Sequence, residues 1–184
     1  MFQMRILIAT DGSQSSSAGL RFAGRLAGSR QDVELIVITV GALHRELFVS
    51  HPVQTSTRLE PEIAREEHEI ASRSLSTAER VLRRHRQHCR FRFVRPRRHG
   101  LVAETIAQEA DRERADLIVV GTDRFGAFAS WALGSVSARL LQISRRPVTV
   151  VHLARRRRAA HGRNASGRKG PVRRMHQANL ERGG

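Results

Sequence analysis

Between Gly121 and Ser137 the chain reads GTDRFGAFASWALGSVS, directly after the apolar run ADLIVV. Gly134 stands thirteen positions after Gly121. Glycine lets backbone N–H groups come close to a ligand. Gly134 and Ser135 precede a stretch with helical spacing, and the first N–H groups of a helix are unpaired and carry partial positive charge. That combination suits an anion, and a phosphate above all. Ser135 offers a hydroxyl to such an anion or a cap to the helix. A plain strand-to-helix turn uses the same residue types, so from these residues alone both readings stand.

Other arrangements are poorer. Neither a Walker-type glycine loop ending in Lys-Ser/Thr nor a G-x-G-x-x-G is present. His85 and His88 are three apart and could share a metal, but they lack an evident third ligand and read as part of a solvated basic helix. Cys89 has no convincing partner for nucleophilic chemistry. Asp123 beside Arg124 reads as a local ion pair, and Trp131 as a residue packed on the last helix. No pair of carboxylates shares a role, so the sequence identifies no catalytic residue and no metal site.

The elements that must position the glycines can be read from periodicity. RILIAT, Arg5–Thr10, is a buried strand ended by DGS. Ser13 caps a helix whose Leu20, Ala23 and Ala27 share a face. VELIVITV, Val33–Val40, is nearly all apolar, as a strand covered on both faces would be. Gly41–Pro61 has no period and reads as a long mobile connection. A charged helix is predicted over Glu62–His88, with Ile63, Ile70, Ala78, Val81 and Leu82 on or near one face. CRFRFVR alternates Arg with apolar residues, as a strand near a sheet edge does. Val102, Ile106 and Ala110 predict a helix, DLIVVG a fourth strand, and Val136, Leu140 and Ile143 the inward face of a last helix. Pro147 precedes a final strand, VTVVHL. This βαβαβαβαβ order predicts an open parallel α/β sheet with helices on both faces. Ligands of such sheets sit beyond the carboxyl ends of the strands, where the strand order reverses. The loops ATDGS and GTDRFG are the candidates to flank that crevice.

The chain has 184 residues and a formal charge of +16. From Ala154 to Gly184 nine arginines and one lysine face one glutamate, so +9 of that charge lies in a tail. With few large apolar residues, the tail is expected to be disordered. Two parts are therefore expected, a domain over residues 1–153 and a basic tail over 154–184. The tail suits weak, non-specific contact with nucleic acid. No apolar run is long enough to span a membrane. The N-terminus reads as a first strand rather than a signal peptide. The one cysteine excludes an internal disulfide and fits a reducing cytosol.

Three stretches, ILIATDGSQSSSAGLRFAGRLA, GLVAETIAQEADRERADLIVVGT and LGSVSARLLQISRRPVTVVH, together resemble the universal stress protein family over roughly Met4–Leu153. The resemblance implies a five-stranded, Rossmann-like sheet of order 3-2-1-4-5, a cytoplasmic protein of the stress response, frequent homodimers and, in one branch, binding of ATP or AMP. That branch carries Gly, two residues, Gly, nine residues, then Gly-Ser/Thr. Gly121, Gly134 and Ser135 fit it, but Arg124 stands where the middle glycine belongs. An arginine adds bulk where phosphate would meet bare backbone, and a permanent cation that can grip phosphate. By the resemblance, Asp11 faces the ribose or the base, and Ala9 and Val40 line the adenine pocket. Gly121, Gly134, Ser135 and Val136 hold ribose and phosphates. Asp11 ahead of Gly-Ser is also an ordinary turn residue. Pro147–Val151 is expected to be an apolar edge strand through which two copies pair. Three alternatives stand beside this one: a member that binds no nucleotide and acts through dimer contacts, a nucleic-acid-associated protein using its tail, and a slow ATP hydrolase.

Overall fold

The computed structural model describes residues 4–41, 60–96, 101–122 and 134–153. Five strands, β1 (Met4–Ala9), β2 (Val33–Val40), β3 (Cys89–Val94), β4 (Leu117–Thr122) and β5 (Val148–His152), form one parallel sheet of order β3-β2-β1-β4-β5. Four helices connect them: α1 (Gln14–Ala27), α2 (Glu60–Val81), α3 (Val102–Arg112) and α4 (Ser135–Ile143). The order expected of the sheet is the order observed.

Period-two alternation divides the strands between two cores. Ile6 and Ile8, Leu35 and Val37, and Val119 face α1 and α2, where Leu20, Ala23, Ala27, Ala78 and Leu82 meet them. Leu7, Ile36, Ile38, Ile118 and Val120 face the other way, onto Ala103, Ile106 and Ala110 of α3 and Leu140 of α4. Both faces of β1, β2 and β4 are therefore dry, which is why these strands read as unbroken apolar runs.

Two details of α2 differ from the sequence expectation. It starts at Glu60, with Pro61 inside its first turn, where a missing N–H costs no hydrogen bond. It stops at Val81, and Arg83–His88 continues as a 3₁₀ turn. Basic side chains crowd that run, and the tighter turn swings the chain into β3. Its inward stripe agrees in part: Ala78 and Leu82 are buried as expected, but Ile70 is 43% exposed, and Ala71 and Ser74 are buried in its stead. Small residues are used because the helix comes close to the β1–α1 turn, as Ser74 and Gly12 show below.

The two sheet edges differ in character. At β3, Arg90 and Arg92 are held in ion pairs with Glu34, Glu113 and Glu109. At β5, Val148, Thr149, Val150 and Val151 are half-buried. The tail from residue 154 onward lies outside the described residues, as do 42–59 of the long connection. No helix among the described residues is long and apolar enough to cross a membrane.

Candidate functional site

The strand order reverses between β1 and β4, since β2 and β3 lie to one side and β5 to the other. The carboxyl ends of β1 and β4 therefore open a crevice. Its first wall is built by Thr10–Ser13. The Thr10 amide donates to the Ile38 carbonyl at 2.9 Å, and the Thr39 hydroxyl donates to the Thr10 carbonyl. These bonds tie the end of β1 to β2. The Thr10 hydroxyl donates to Ser16 Oγ at 3.0 Å and accepts from the Gly12 amide at 3.2 Å, linking strand to helix. Gly12 has φ +80°, and a Cβ there would come within 2.9 Å of Ser74 Oγ, so turn geometry and the approach of α2 both demand glycine.

Ser13 is the N-cap of α1, and its hydroxyl accepts from the Ser16 amide at 3.1 Å. Asp11 is exposed, and its Oδ1 accepts from the Ser13 amide at 2.9 Å. Although the residue as a whole is exposed, partial desolvation of its carboxyl at the strand end raises the pKa, but hydrogen bonds from the Ser13 hydroxyl and amide outweigh that and hold it below the usual value. Asp11 is thus an anion at neutral pH, an acceptor suited to hydroxyl or amine donors.

The second wall comes from β4 and α4. Gly121, the penultimate residue of β4, lies against the first turn of α1. A Cβ at Gly121 would lie 2.0 Å from the Ser15 carbonyl oxygen and 2.6 Å from the Ser16 nitrogen. Its glycine is required by that helix, whatever the crevice holds. Gly134 differs. Its φ of −53° suits any residue, and among the described residues a Cβ there would meet nothing closer than Thr122 Oγ1 at 3.7 Å. Gly134 is itself the N-cap of α4, and no side chain caps that helix. Ser135 is exposed as the first helical residue and does not fill the capping role open to it in the sequence.

Ala9, Val40 and Val136 are half-buried and pack on the same core cluster, on the α3–α4 side of the sheet. They come from the end of β1, the end of β2 and the first turn of α4. One residue beyond Val40, buried Glu67 reaches Gly41, with the Arg95 guanidinium 3.8 Å from its carboxylate. Arg124, the substituted position, lies outside the described residues, as do Asp123 and Trp131.

The residues that sequence reasoning missed are the ones that fix the wall. Thr10, Thr39 and Ser16 are buried polar groups satisfied by one another and by the strand ends. The only signal for them was hydroxyl residues at the carboxyl ends of apolar strands. Cys89 is half-buried, and its thiol donates to the His85 carbonyl at 3.1 Å. Burial pushes its pKa up to about 11, so it is no nucleophile at neutral pH. Among the described residues no three His, Cys, Asp or Glu side chains cluster as metal ligands.

The profile of the universal stress protein family matches residues 3–152. A curated universal stress protein of the archaeon Methanocaldococcus jannaschii is 29% identical over 147 residues, 80% of this chain and 81% of the relative. A universal stress protein solved in complex with cAMP is 25% identical, with a TM-score of 0.56, over 81% of this chain and 97% of the relative. A family protein from Burkholderia pseudomallei is 27% identical, also with a TM-score of 0.56, over 80% and 94% of the two chains. Sheet order, crevice and sequence thus agree, and the chain belongs to the universal stress protein family.

Proposed function

We propose that the chain binds an adenine nucleotide, ATP or AMP, in the crevice between Asp11 and Gly134, and acts in the cytoplasm as a nucleotide-responsive module of the stress response. The observation that carries this reading is Gly134. Neither its backbone angles nor its neighbours among the described residues call for glycine, and it opens a helix that no described side chain caps. A bare backbone at a helix N-terminus is what a phosphate needs. The relative in complex with cAMP supports an adenine nucleotide as the ligand class. In this reading Gly134, Ser135 and Val136 offer N–H donors, and Gly121 lets α1 come close enough to shape the floor. Ala9 and Val40 flank the base, and Asp11 accepts from the ribose or the base. Arg124 either grips a phosphate or obstructs it. The residues supply binding and no acid–base pair, so the role is that of a binding module.

Calorimetric titration with ATP, ADP and AMP tests this. Gly134→Arg abolishes binding. Arg124→Gly tightens it where the arginine obstructs and weakens it where the arginine grips. Absence of binding by both wild type and Arg124→Gly at millimolar nucleotide would sink the reading.

A second reading concerns assembly. The apolar β5 edge, unlike the β3 edge with its ion-paired arginines, invites a second copy, so the chain pairs as a homodimer through Pro147–Val151.

A further inference from the structure

At the far end of α1 from the crevice lies a second concavity, of about 750 Å³, between the last turns of α1 and α2 and the 3₁₀ turn. Its basic lining is Arg21, Arg25, Arg30 and Arg84 with the imidazoles of His85 and His88, and no carboxylate of the described residues lines it. Arg30 is engaged by Asp32 at 2.8 Å. Arg21, Arg25 and Arg84 are exposed and make no ion pair among the described residues. Elsewhere Arg5, Arg90, Arg92, Arg112, Arg139 and Arg146 each meet a carboxylate, whereas Arg114 and Arg145 stand apart from the acidic side chains among the described residues. Three guanidinium groups of the cleft, Arg21, Arg25 and Arg84, thus gather without a carboxylate partner among the described residues.

Compensation of helix C-termini explains one such residue per helix, as Arg25 does in the last turn of α1. It does not explain Arg21, a full turn earlier on the same face, nor the close seating of His85. The Gly24 position is held open by that neighbour, since a Cβ there would sit 3.2 Å from Leu82 Cδ2 and 3.4 Å from the His85 ring. The apolar share of the lining is aliphatic, Val81 and Leu82, with no Phe or Trp to stack on a base.

We infer that this cleft is a second anion site, independent of the nucleotide crevice, whose ligand is a small linear oligophosphate. The charge of the lining suits several phosphates in a row, guanidinium groups bind them bidentately, and the concave shape suits a compact ligand. With no Phe, Tyr or Trp among the described lining residues, stacking of a nucleobase falls to the two imidazoles alone, and phosphate is the better-matched ligand. Seven residues of α1 separate Arg21 of the cleft from Ser13 of the first wall of the crevice, which is about 12 Å at the usual helical rise.

The test is titration of the full chain with inorganic tripolyphosphate near physiological salt, followed by amide chemical shifts and by calorimetry. Shifts are expected at Gly24–Gln31 and Arg84–His88. Arg21→Ser/Arg25→Ser is expected to weaken binding at least tenfold while its melting temperature stays within a few degrees of wild type. Arg65→Ser/Arg145→Ser, with the same change in net charge but outside the cleft, is expected to weaken it less than twofold. Gly134→Arg is expected to leave tripolyphosphate binding at the cleft intact, which separates this site from the crevice. Shifts confined to residues 154–184, or equal loss in both double variants, would overturn the inference. So would a DNA duplex that moves the same cleft amides at lower phosphate concentration than tripolyphosphate, because the ligand would then be a nucleic-acid backbone.

Discussion

Gly121 and Gly134 look alike in the sequence, two glycines at a fixed spacing, yet they answer to different constraints. Gly121 is held by the protein itself, because a Cβ would drive into the Ser15 carbonyl. Gly121→Ala should therefore lower stability by about 1–3 kcal/mol or more, as overpacking does, and shift the denaturation midpoint even without nucleotide. Gly134 has room for a side chain and sits at an N-cap, where serine is preferred to glycine by a few tenths of a kcal/mol. Gly134→Ser should thus keep or slightly raise stability while weakening nucleotide binding. Loss of stability in Gly134→Ser with affinity unchanged would make that glycine structural too. The sequence exposed the spacing but not this distinction, because what stands next to a glycine depends on long-range approach. The clash partner of Gly121 lies more than a hundred residues earlier in the chain. The turn at Asp11–Ser13 was legible by contrast, because an Asp-Gly-Ser turn and its cap are local chemistry.

At the scale of elements, the strands were easier to read than the helices. Two-sided burial writes itself as continuous apolar sequence, so β2 is found at the bounds its sequence suggests, Val33–Val40. Ala71 and Ser74 on the inward face of α2 were hidden because close helix–sheet contact selects Ala and Ser, which carry little hydrophobic signal. The polar seam where α3 ends was hidden for a different reason: its partners are scattered. Glu113, at the C-cap of α3, joins Arg90 at 2.8 Å and Arg92 at 2.6 Å, and Arg90 also meets Glu34. Burial raises the Glu113 pKa, but the hydrogen bond from Arg90 and the charges of Arg90, Arg92 and Arg112 outweigh it, leaving the carboxyl below its ordinary 4.5. A depressed pKa means that the stabilisation is complete above about that ordinary value and is lost as the pH falls through the lower, folded one. Glu113→Gln should then cost about 1–2 kcal/mol at neutral pH, less than a fully buried pair because the arginines are partly solvated. Urea midpoints of wild type and variant should converge as the pH drops below 4.5. A gap that persists into strong acid would mean that the glutamate acts through shape rather than charge.

At the scale of the whole molecule, two features remain that no single element explains, the unlike sheet edges and the uneven charge. The β5 edge bears valines at positions 148, 150 and 151. Val150→Lys should turn a dimer into a monomer by light scattering at tens of micromolar, with the melting transition still cooperative. A wild type that is monomeric under the same conditions would end the edge-pairing proposal. The charge argument runs through the tail. Residues 154–184 carry +9 of the total +16, with ten basic side chains and no Phe, Trp or Tyr. Such a segment can neutralise phosphates but cannot stack on bases, so its binding should be weak, indifferent to sequence and steep in salt. Ten cations limit the slope of log affinity against log salt to about −9 on duplex DNA. Fluorescence anisotropy at low salt should show at least a tenfold loss of affinity when residues 155–184 are removed, and equal affinity of the full chain for oligo-dA and oligo-dT. A slope steeper than the tail can supply would require cations of the folded domain as well. Binding unchanged by the truncation would assign the contact to the domain alone and leave the tail without this role.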